Sequence, residues 1–561
     1  MQKKLTSIEK YKGRLSESAN IFLESSNTYD KITKEVMSIL VYSRLKHDED
    51  TANTKYQAMA DKAMQLLTKF NSVASFIEPE IIALGHEKAK QYMEEIDELK
   101  IYSHYFDNIF RQAKHVLSAD KEAMLAQISE ITNAPDSIYS LLSNADMTFE
   151  SVLDSEGKYH ALSHGSCLTL MESSDRVLRK NTFKAYYKPY IAVKNTIAEA
   201  YNYSIKSNNF NAKIRNYPSS MEMSLSENNI PITIYKNLIE TVNKNLHLYH
   251  RYINIRKKCL GLDEFHLYDK YVPIIENANT TINWQDSKDI VLKGVACLGN
   301  EYVDIVKKAF NERWIDVYEN KGKKSGAYSS GAFGTKPYIL MNFNDTYGDM
   351  FTLAHELGHS VHSYYSNQNQ PQMYSNYSIF LAEIASTVNE ALIMDYLLKN
   401  TDDKAQYNYL LNLLMSNFDS TFFRQTMFAE FEMLTHEMAE KGESLNTDSL
   451  NGLYYDLICK YFGKDVVIDE EIAYEWSRIP HFYSAFYVYQ YATGFSAAMA
   501  FSKEILLGNT QKYLNLLKNG SSNYSIELLK LAGIDMTSPQ PIESAFSIFE
   551  DLLNKFEKAN F

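Results

Sequence analysis

Apolar residues recur at intervals of three and four positions along most of this chain. In residues 58–70 the apolar positions include Met59, Ala63, Met64, Leu66, Leu67 and Phe70. This spacing places them on one face of a helix. The same pattern appears in residues 193–205, 239–255, 405–418 and 542–553, and only 20 glycines and 11 prolines interrupt the 561 residues. The pattern therefore predicts a mainly α-helical protein.

Residues 321–343 depart from the helical pattern. Three glycines introduce turns, and Pro337 precedes the run Tyr338-Ile-Leu-Met-Asn-Phe343. This run predicts a short strand, and a proline at its start is typical of an edge strand. A plain connecting hairpin is the alternative. We expect a small β-sheet directly before the segment that carries the candidate chemistry.

Residues 479–502 contain no Lys, Arg, Asp or Glu. The segment is long enough to cross a bilayer, but it contains His481, Gln490, Thr493 and several tyrosines. These polar groups would be costly to place in lipid. We therefore expect a buried helix that lines a polar cavity in a soluble protein without a membrane partner.

Composition narrows the functional class. Hydrophobic residues make up 45% of the chain and charged residues 23%, which is typical of globular proteins. The net charge of −13 and the lack of a Lys/Arg cluster predict no nucleic-acid partner. Four widely spaced cysteines and an N-terminus without an apolar segment predict reduced core cysteines and a cytoplasmic location. The sequence does not indicate an oligomeric state.

The length predicts more than one domain. Residues 1–190 show helical patterns without candidate chemistry, so we place an N-terminal helical region there. Residues 191–561 contain the candidate functional residues and are interpreted as the catalytic domain.

The strongest motif is His355-Glu-Leu-Gly-His359. Histidines four residues apart lie on one helical face, where both imidazoles can bind one zinc ion while Glu356 activates a water molecule. Apolar positions at helical spacing surround the motif, and Thr346 with Asp349 predicts a capping box at the helix start. The alternative is a surface helix with two solvated histidines. A glycine inside a helix is unfavourable by about 1 kcal/mol relative to alanine, so Gly358 indicates a close packing contact.

A catalytic zinc site takes a third protein ligand and leaves a position for water. Residues 378–398 have helical periodicity and contain Glu383 and Glu390. These two glutamates are about 10.5 Å apart along a helix axis, so only one can bind the ion directly. The spacing alone does not choose between them. The same distance excludes His362 as a ligand together with His355.

Several segments in the same order resemble a known family. They are His-Glu-Leu-Gly-His-Ser-Val-His at 355–362, Ala-Glu-Ile-Ala-Ser-Thr at 382–387, Phe-Arg-Gln-Thr-Met-Phe-Ala-Glu-Phe-Glu at 423–432, Arg-Ile-Pro-His-Phe-Tyr at 478–483 and Tyr-Val-Tyr-Gln-Tyr-Ala-Thr-Gly at 487–494. The chain resembles the thimet oligopeptidase family of zinc metallopeptidases, and within it the oligoendopeptidase F branch, over residues 200–550.

The resemblance implies an elongated, multi-helical, two-lobed body around a deep channel, with a small β-sheet next to the zinc-binding helix. It implies one zinc ion held by His355, His359 and Glu383, and a strand at 338–343 that pairs with extended peptide. It also assigns stabilisation of the oxyanion to a histidine and tyrosines, for which the candidates here are His481, Tyr483 and Tyr489. Core packing is the alternative for the tyrosines. Arg424 and Arg478 either shape the site or form structural salt bridges.

The expected function is a zinc-dependent metalloendopeptidase that hydrolyses oligopeptides, with Glu356 as general base. One alternative is a dipeptidyl carboxypeptidase with a similar zinc site. The other is a non-catalytic, zinc-containing protein that binds peptides.

Overall fold

The computed structural model describes residues 2–275 and 281–561, and it is mainly helical. The helices in the first half are α1 (Gln2–Leu5), α2 (Ala19–Glu49), α3 (Thr54–Ala74), α4 (Ile77–Leu84), α5 (His86–Glu95), α6 (Ser103–Gln112), α7 (Ala119–Thr132), α8 (Ala134–Leu141), α9 (His164–Met171), α10 (Arg176–Ala192), α11 (Lys194–Ile214), α12 (Ser220–Ser226), α13 (Ile232–Lys244) and α14 (Leu246–Cys259). Those that follow are α15 (Trp284–Gly294), α16 (Asn300–Asn311), α17 (Tyr347–Asn369), α18 (Ile379–Asn400), α19 (Lys404–Asn417), α20 (Arg424–Glu440), α21 (Thr447–Phe462), α22 (Tyr489–Leu506), α23 (Gln511–Lys518), α24 (Ser525–Leu531) and α25 (Gln540–Asn560).

Seven short strands form three small sheets in the described residues. The strands are β1 (Val152–Leu153), β2 (Tyr159–His160), β3 (Phe265–His266), β4 (Ile315–Tyr318), β5 (Tyr328–Ser330), β6 (Tyr338–Phe343) and β7 (Val466–Val467). Strands β1 and β2 pair antiparallel, β3 and β7 pair parallel, and the third sheet has the order β4-β6-β5. The third sheet packs on α17. The prediction of a mainly helical chain with a small sheet beside the motif helix is confirmed.

The prediction that residues 338–343 form an edge strand is wrong. Strand β6 lies in the middle of its sheet, parallel to β4 on one side and antiparallel to β5 on the other. Pro337 precedes the strand, so its missing N–H does not interrupt the hydrogen-bond ladder. The edges of this sheet are β4 and β5.

The chain divides into two compact units that interleave along the sequence. The first comprises Met1–Val116, Thr280–Leu397 and Phe501–Ile534, and the second comprises Leu117–Asn279, Leu398–Ala500 and Asp535–Phe561. Residue 190, at which the sequence suggests a boundary, lies inside α10 of the second unit. The division into residues 1–190 and 191–561 stays a prediction.

The first unit contains an N-terminal helical layer and the elements that carry the zinc-binding motif. In the N-terminal layer, the ring of Phe22 packs against Tyr92, Tyr102 and Phe106, with ring centroids 5.4–6.3 Å apart. Helix α17 packs against α15, α16, α23 and strands β5 and β6. The motif helix is therefore packed against several elements of its own unit.

The second unit is built around α20, which packs against α11, α13 and α21, and around α25, which packs against α13, α14 and α19. Phenylalanine rings contact one another in this unit; one group is Phe418, Phe422, Phe423, Phe495, Phe546 and Phe549. This unit carries residues 478–494, the second segment with candidate chemistry.

Three local predictions need correction. The pattern at 239–255 is not one helix, because α13 and α14 meet at Asn245, whose side chain hydrogen-bonds to the carbonyl of Thr241 at 2.8 Å. Such a bond offers the main chain an alternative to helix continuation. Residues 479–502 begin with a short 3-10 helix at Pro480–Tyr483 and become α-helical only from Tyr489. Cys297 is exposed and is not a core residue.

In the described part of the chain, no helix is long and apolar enough to cross a membrane.

Helices α17 and α18 approach each other most closely at Gly358. A Cβ atom added there would lie 2.6 Å from both the carbonyl oxygen of Ala385 and the Cα of Ser386. Asn389 on α18 also donates to the carbonyl of Ala354 on α17 at 3.0 Å, and the hydroxyl of Tyr302 donates to Asn389 at 2.7 Å. The close contact that the sequence indicates for Gly358 is confirmed.

We predict that Gly358→Ala lowers the free energy of unfolding by about 1–3 kcal/mol, because the new methyl group would push α18 away from α17. The matched control is Gly452→Ala in α21, where an added Cβ meets open space. That change should stabilise the protein by about 0.5–1 kcal/mol, since alanine is the better helix former. Thermal unfolding of both variants measures the difference. Equal effects on the two midpoints would contradict this packing account.

Candidate metal centre

The motif helix α17 begins where the sequence predicts. The side chain of Thr346 accepts a hydrogen bond from the backbone N–H of Asp349, and the Asp349 carboxylate accepts one from the backbone N–H of Thr346. This reciprocal capping box satisfies two donors that a helix start leaves free. It sets the start of the helix two turns before His355.

Three potential metal-binding side chains converge between α17 and α18. One ligand atom each from His355, His359 and Glu383 lies within 4.8 Å of the other two. The Nε2 atoms of the two histidines are 3.1 Å apart, and the Glu383 Oε2 lies 3.4 Å from Nε2 of His355 and 3.9 Å from Nε2 of His359. Ligands about 2.0–2.1 Å from a tetrahedral ion are about 3.3 Å apart, so these distances fit a zinc ion.

Glu390 has a different position from Glu383. Its Oε1 lies 2.6 Å from Nδ1 of His355, on the side of the ring that faces away from His359 and Glu383. A carboxylate in this position fixes the orientation and the tautomer of a metal-binding histidine. The main chain of Ala382 makes a hydrogen bond with His359. The structure therefore separates the two glutamates that the spacing leaves open: Glu383 lies among the donor atoms and Glu390 lies behind one of them.

The electrostatic environment differs between the two histidines. Burial opposes the charged form of His355, but the carboxylates of Glu383 and Glu390 outweigh it and raise its pKa to about 10. Burial, followed by the neighbouring His355, lowers the pKa of His359 to about 4. Both ring nitrogens of His355 thus carry a proton in this arrangement. A metal ion binds neutral imidazole, so binding at Nε2 would release the Nε2 proton and leave the Nδ1 proton in place.

Glu356 lies beside the donor group and is 7% exposed. Its Oε2 makes no hydrogen bond within the described part of the chain. Burial raises the pKa of Glu356 to about 7, although the charge on His355 and a backbone hydrogen bond from Ser329 on β5 act in the opposite direction. A carboxylate with such a pKa can accept and return a proton near neutral pH.

His362 is not among the converging donors. It is buried, both ring nitrogens lack hydrogen-bond partners among the described residues, and its ring stacks on Tyr377 with centroids 3.6 Å apart. Burial lowers the pKa of His362 to about 3. The prediction that His362 does not share an ion with His355 is consistent with this position.

The other predicted site residues lie in the second unit. His481 is exposed in a short 3-10 helix, with its ring 6.4 Å from that of Tyr487 and 6.1 Å from that of Tyr491. Tyr483 stacks on Tyr139 at 4.6 Å, and its hydroxyl is buried. Tyr489 is 3% exposed.

Burial therefore favours the core-packing alternative for Tyr489. Tyr487 and Tyr491, which the sequence does not single out, are partly exposed and lie beside His481. Their signal in the sequence is the spacing of four residues between them. Tyr487 lies just before α22 and Tyr491 lies in its first turn, with ring centroids 5.5 Å apart.

Comparison with known proteins assigns the family. The profile described as Peptidase family M3 matches residues 169–548, and the profile described as Oligopeptidase F matches residues 80–149. The chain belongs to peptidase family M3. It is 48% identical over 557 residues to oligopeptidase PepF of Bacillus subtilis (strain 168), covering 99% of this chain and 83% of that protein.

Other members of peptidase family M3 show the same relationship. The chain is 41% identical over 550 residues to group B oligopeptidase PepB of Streptococcus agalactiae serotype III (strain NEM316), covering 98% of this chain and 91% of that protein. The crystal structure of oligoendopeptidase-F from Enterococcus faecium superposes with a TM-score of 0.77 at 39% identity, covering 100% of this chain and 97% of that one. The resemblance to oligoendopeptidase F is thus confirmed, and the fold is that of its family M3 relatives.

We predict that Glu390→Ala weakens zinc binding about 10–100-fold, because His355 loses the carboxylate that orients it. Competition with a fluorescent zinc chelator measures the affinity. The matched control is Asp395→Asn on the same helix, which removes an acid more than one turn further along. Unchanged zinc affinity of Glu390→Ala would contradict the orienting role.

Proposed function

We propose that the chain is a zinc-dependent endopeptidase that hydrolyses oligopeptides. Membership of peptidase family M3 supports peptide hydrolysis. The observation that carries the zinc-dependent mechanism is the convergence of two imidazole nitrogens and one carboxylate oxygen beside the buried Glu356. Three protein ligands leave one position for water, which is typical of catalytic zinc and not of structural zinc.

His355, His359 and Glu383 would hold the ion. When bound, zinc lowers the pKa of a coordinated water towards about 7 and polarises the scissile carbonyl. Glu356 accepts the proton of the attacking water and delivers it to the leaving amine. Glu390 would accept a hydrogen bond from Nδ1–H of His355. This holds the proton on Nδ1 and leaves Nε2 of His355 free to bind the ion.

Strand β6 lies in the middle of its sheet, so both of its sides are already paired. We therefore place the proposed peptide contact on the edge strand β5. Strand β5 uses one side to pair with β6, and no other strand in the described residues pairs with it. The hydroxyls of Ser329 on β5 and Ser360 on α17 lie 2.8 Å apart, which fixes this edge beside the motif helix. An extended peptide would add to β5 through main-chain hydrogen bonds. Such recognition depends little on side chains and suits a peptidase that accepts varied oligopeptides.

His481 and a neighbouring tyrosine are the proposed donors to the oxyanion. The exposed imidazole of His481 and the partly exposed rings of Tyr487 and Tyr491 support this choice. Tyr483 and Tyr489 remain the candidates suggested by the sequence. The cytoplasmic location and the lack of a nucleic-acid partner also stay predictions.

We predict that Glu356→Gln reduces kcat about 10²–10⁴-fold and leaves the zinc content unchanged, since only the proton acceptor is lost. The assay uses a fluorescence-quenched peptide blocked at both ends, with products identified by mass spectrometry. Glu301→Gln, at an exposed site on α16, is the control.

Internal cleavage of the blocked peptide by the wild type supports an endopeptidase. Release of C-terminal dipeptides alone, and only from unblocked peptides, would establish the dipeptidyl carboxypeptidase instead. A peptide that binds but is never cut would establish the non-catalytic binder. Near-normal turnover by Glu356→Gln would show that this glutamate is not the base.

Tyrosine variants separate the candidate donors. We predict that one of the two variants Tyr487→Phe and Tyr491→Phe lowers kcat by about 10²–10³-fold without changing the unfolding temperature, because that variant loses one oxyanion donor. Tyr489→Phe should leave kcat within a small factor of wild type, since this side chain is in the core. The reverse result, with kcat lost only in Tyr483→Phe or Tyr489→Phe, would restore the candidates from the sequence.

A further inference from the structure

The second unit contains a cavity of about 770 Å³. It is lined by parts of α9, α10, α14, α19 and α21 and by the segment that follows β3. Its volume lies in the range of about 300–1,000 Å³ that is usual for sites that bind small molecules. None of the residues proposed above to bind zinc, to act as base or to stabilise the oxyanion lines it.

Four cationic side chains line this cavity: Lys270, Arg256, Arg424 and Arg478. Lys270 pairs with Asp419 at 3.0 Å. Arg424 and Arg478 share a single carboxylate, that of Glu475, with nitrogen–oxygen distances of 2.6 and 2.5 Å. The structural salt bridge considered for both arginines is therefore present, but one negative charge serves two guanidinium groups.

Arg256 has no carboxylate partner within ion-pair distance in residues 2–275 and 281–561. It is 3% exposed, and it donates to the hydroxyl of Tyr252 and to the carbonyl oxygen of Val272. Its Nε–H has no acceptor among the same residues. A buried guanidinium is always charged, and leaving it without a counter-charge is unfavourable.

The buried and half-buried side chains of the lining thus hold four positive charges against the two negative charges of Asp419 and Glu475. The remaining acid, Glu172, is exposed. Aromatic rings form much of the rest of the wall; they include Phe183, Tyr186, Tyr187, Tyr252, Tyr271 and Tyr409. The cavity combines an excess of positive charge with flat apolar surfaces.

We infer that this cavity binds a small organic anion with a phosphate or carboxylate group held by Arg256 and by the Arg424–Arg478 pair, and with an apolar or aromatic body against the tyrosines. Guanidinium groups match the planar, two-oxygen geometry of both anionic groups. The binding is independent of peptide hydrolysis and of zinc.

Thermal unfolding and calorimetry with phenyl phosphate and with benzoate test this inference, with sodium chloride at equal ionic strength as reference. The two probes separate a phosphate group from a carboxylate. The variant is Arg256→Gln. The matched control is Lys258→Gln, which removes one positive charge from an exposed position on the same helix, α14.

At least one probe should bind the wild type and Lys258→Gln and raise their unfolding temperature above that in sodium chloride. Arg256→Gln should bind it about tenfold or more weakly, because a charge-assisted hydrogen bond is lost. Equal binding by Arg256→Gln and wild type, or no binding of either probe to the wild type, would overturn the inference.

A crystal structure of the wild type soaked with the same probe provides a second measurement, should Arg256→Gln fail to fold. Density for the anion beside Arg256 supports the site. Density only on the protein surface overturns it.

Discussion

The main chains of α17 and α18 touch at Gly358, and the candidate site depends on this contact. Gly358 has no Cβ, so the carbonyl of Ala385 and the Cα of Ser386 can lie where a side chain would otherwise begin. Asn389 then joins the two helices by its hydrogen bond to Ala354. The contact holds α18 close to α17, and the hydrogen bond fixes the rotation of α18 about its own axis. The carboxylate of Glu383 therefore lies near the imidazoles of His355 and His359.

Because of the same contact, Glu383 and Glu390 of α18 occupy different positions relative to the two histidines. Glu383 and Glu390 are seven residues apart, so they face the same side of α18 but lie about 10.5 Å apart along its axis. Glu383 meets the Nε2 atoms of both histidines, and Glu390 meets Nδ1 of His355. An imidazole held from behind in this way presents its other nitrogen in a fixed direction. The polar centre is therefore built from rigid helices and not from loops.

The features of the site that depend on neighbouring residues in the sequence could be predicted from it. The start of α17 follows from the capping pair Thr346 and Asp349, and Gly358 is informative because glycine is unfavourable inside a helix. The choice between Glu383 and Glu390 could not be derived from spacing, because it depends on how far α18 is shifted along α17. That shift is a tertiary property. The place of β6 within its sheet is also a tertiary property. Pro337 is compatible with a central strand as well as with an edge strand, because proline removes only its own N–H hydrogen bond.

The aromatic segment shows a different limit. Tyrosines serve equally well in a core and at a polar site, so the sequence does not separate Tyr487 and Tyr491, which are partly exposed, from the buried Tyr489. In the turn before α22, Phe486 has a positive φ of 55°. The strained residue is held by a hydrogen bond from its N–H to the buried carboxyl of Glu432 at 2.7 Å. Interactions of this kind join distant segments and have no local signature.

We propose that α17 and α18 together present three donors to one zinc ion, with Glu390 outside the coordination sphere. Anomalous diffraction at the zinc absorption edge, from crystals of the zinc-loaded protein, tests it directly. We predict one peak per chain, about 2.0–2.2 Å from Nε2 of His355, Nε2 of His359 and a carboxylate oxygen of Glu383, with Glu390 still hydrogen-bonded to Nδ1 of His355. A peak bound directly by Glu390, or a peak away from these three side chains, would contradict the account.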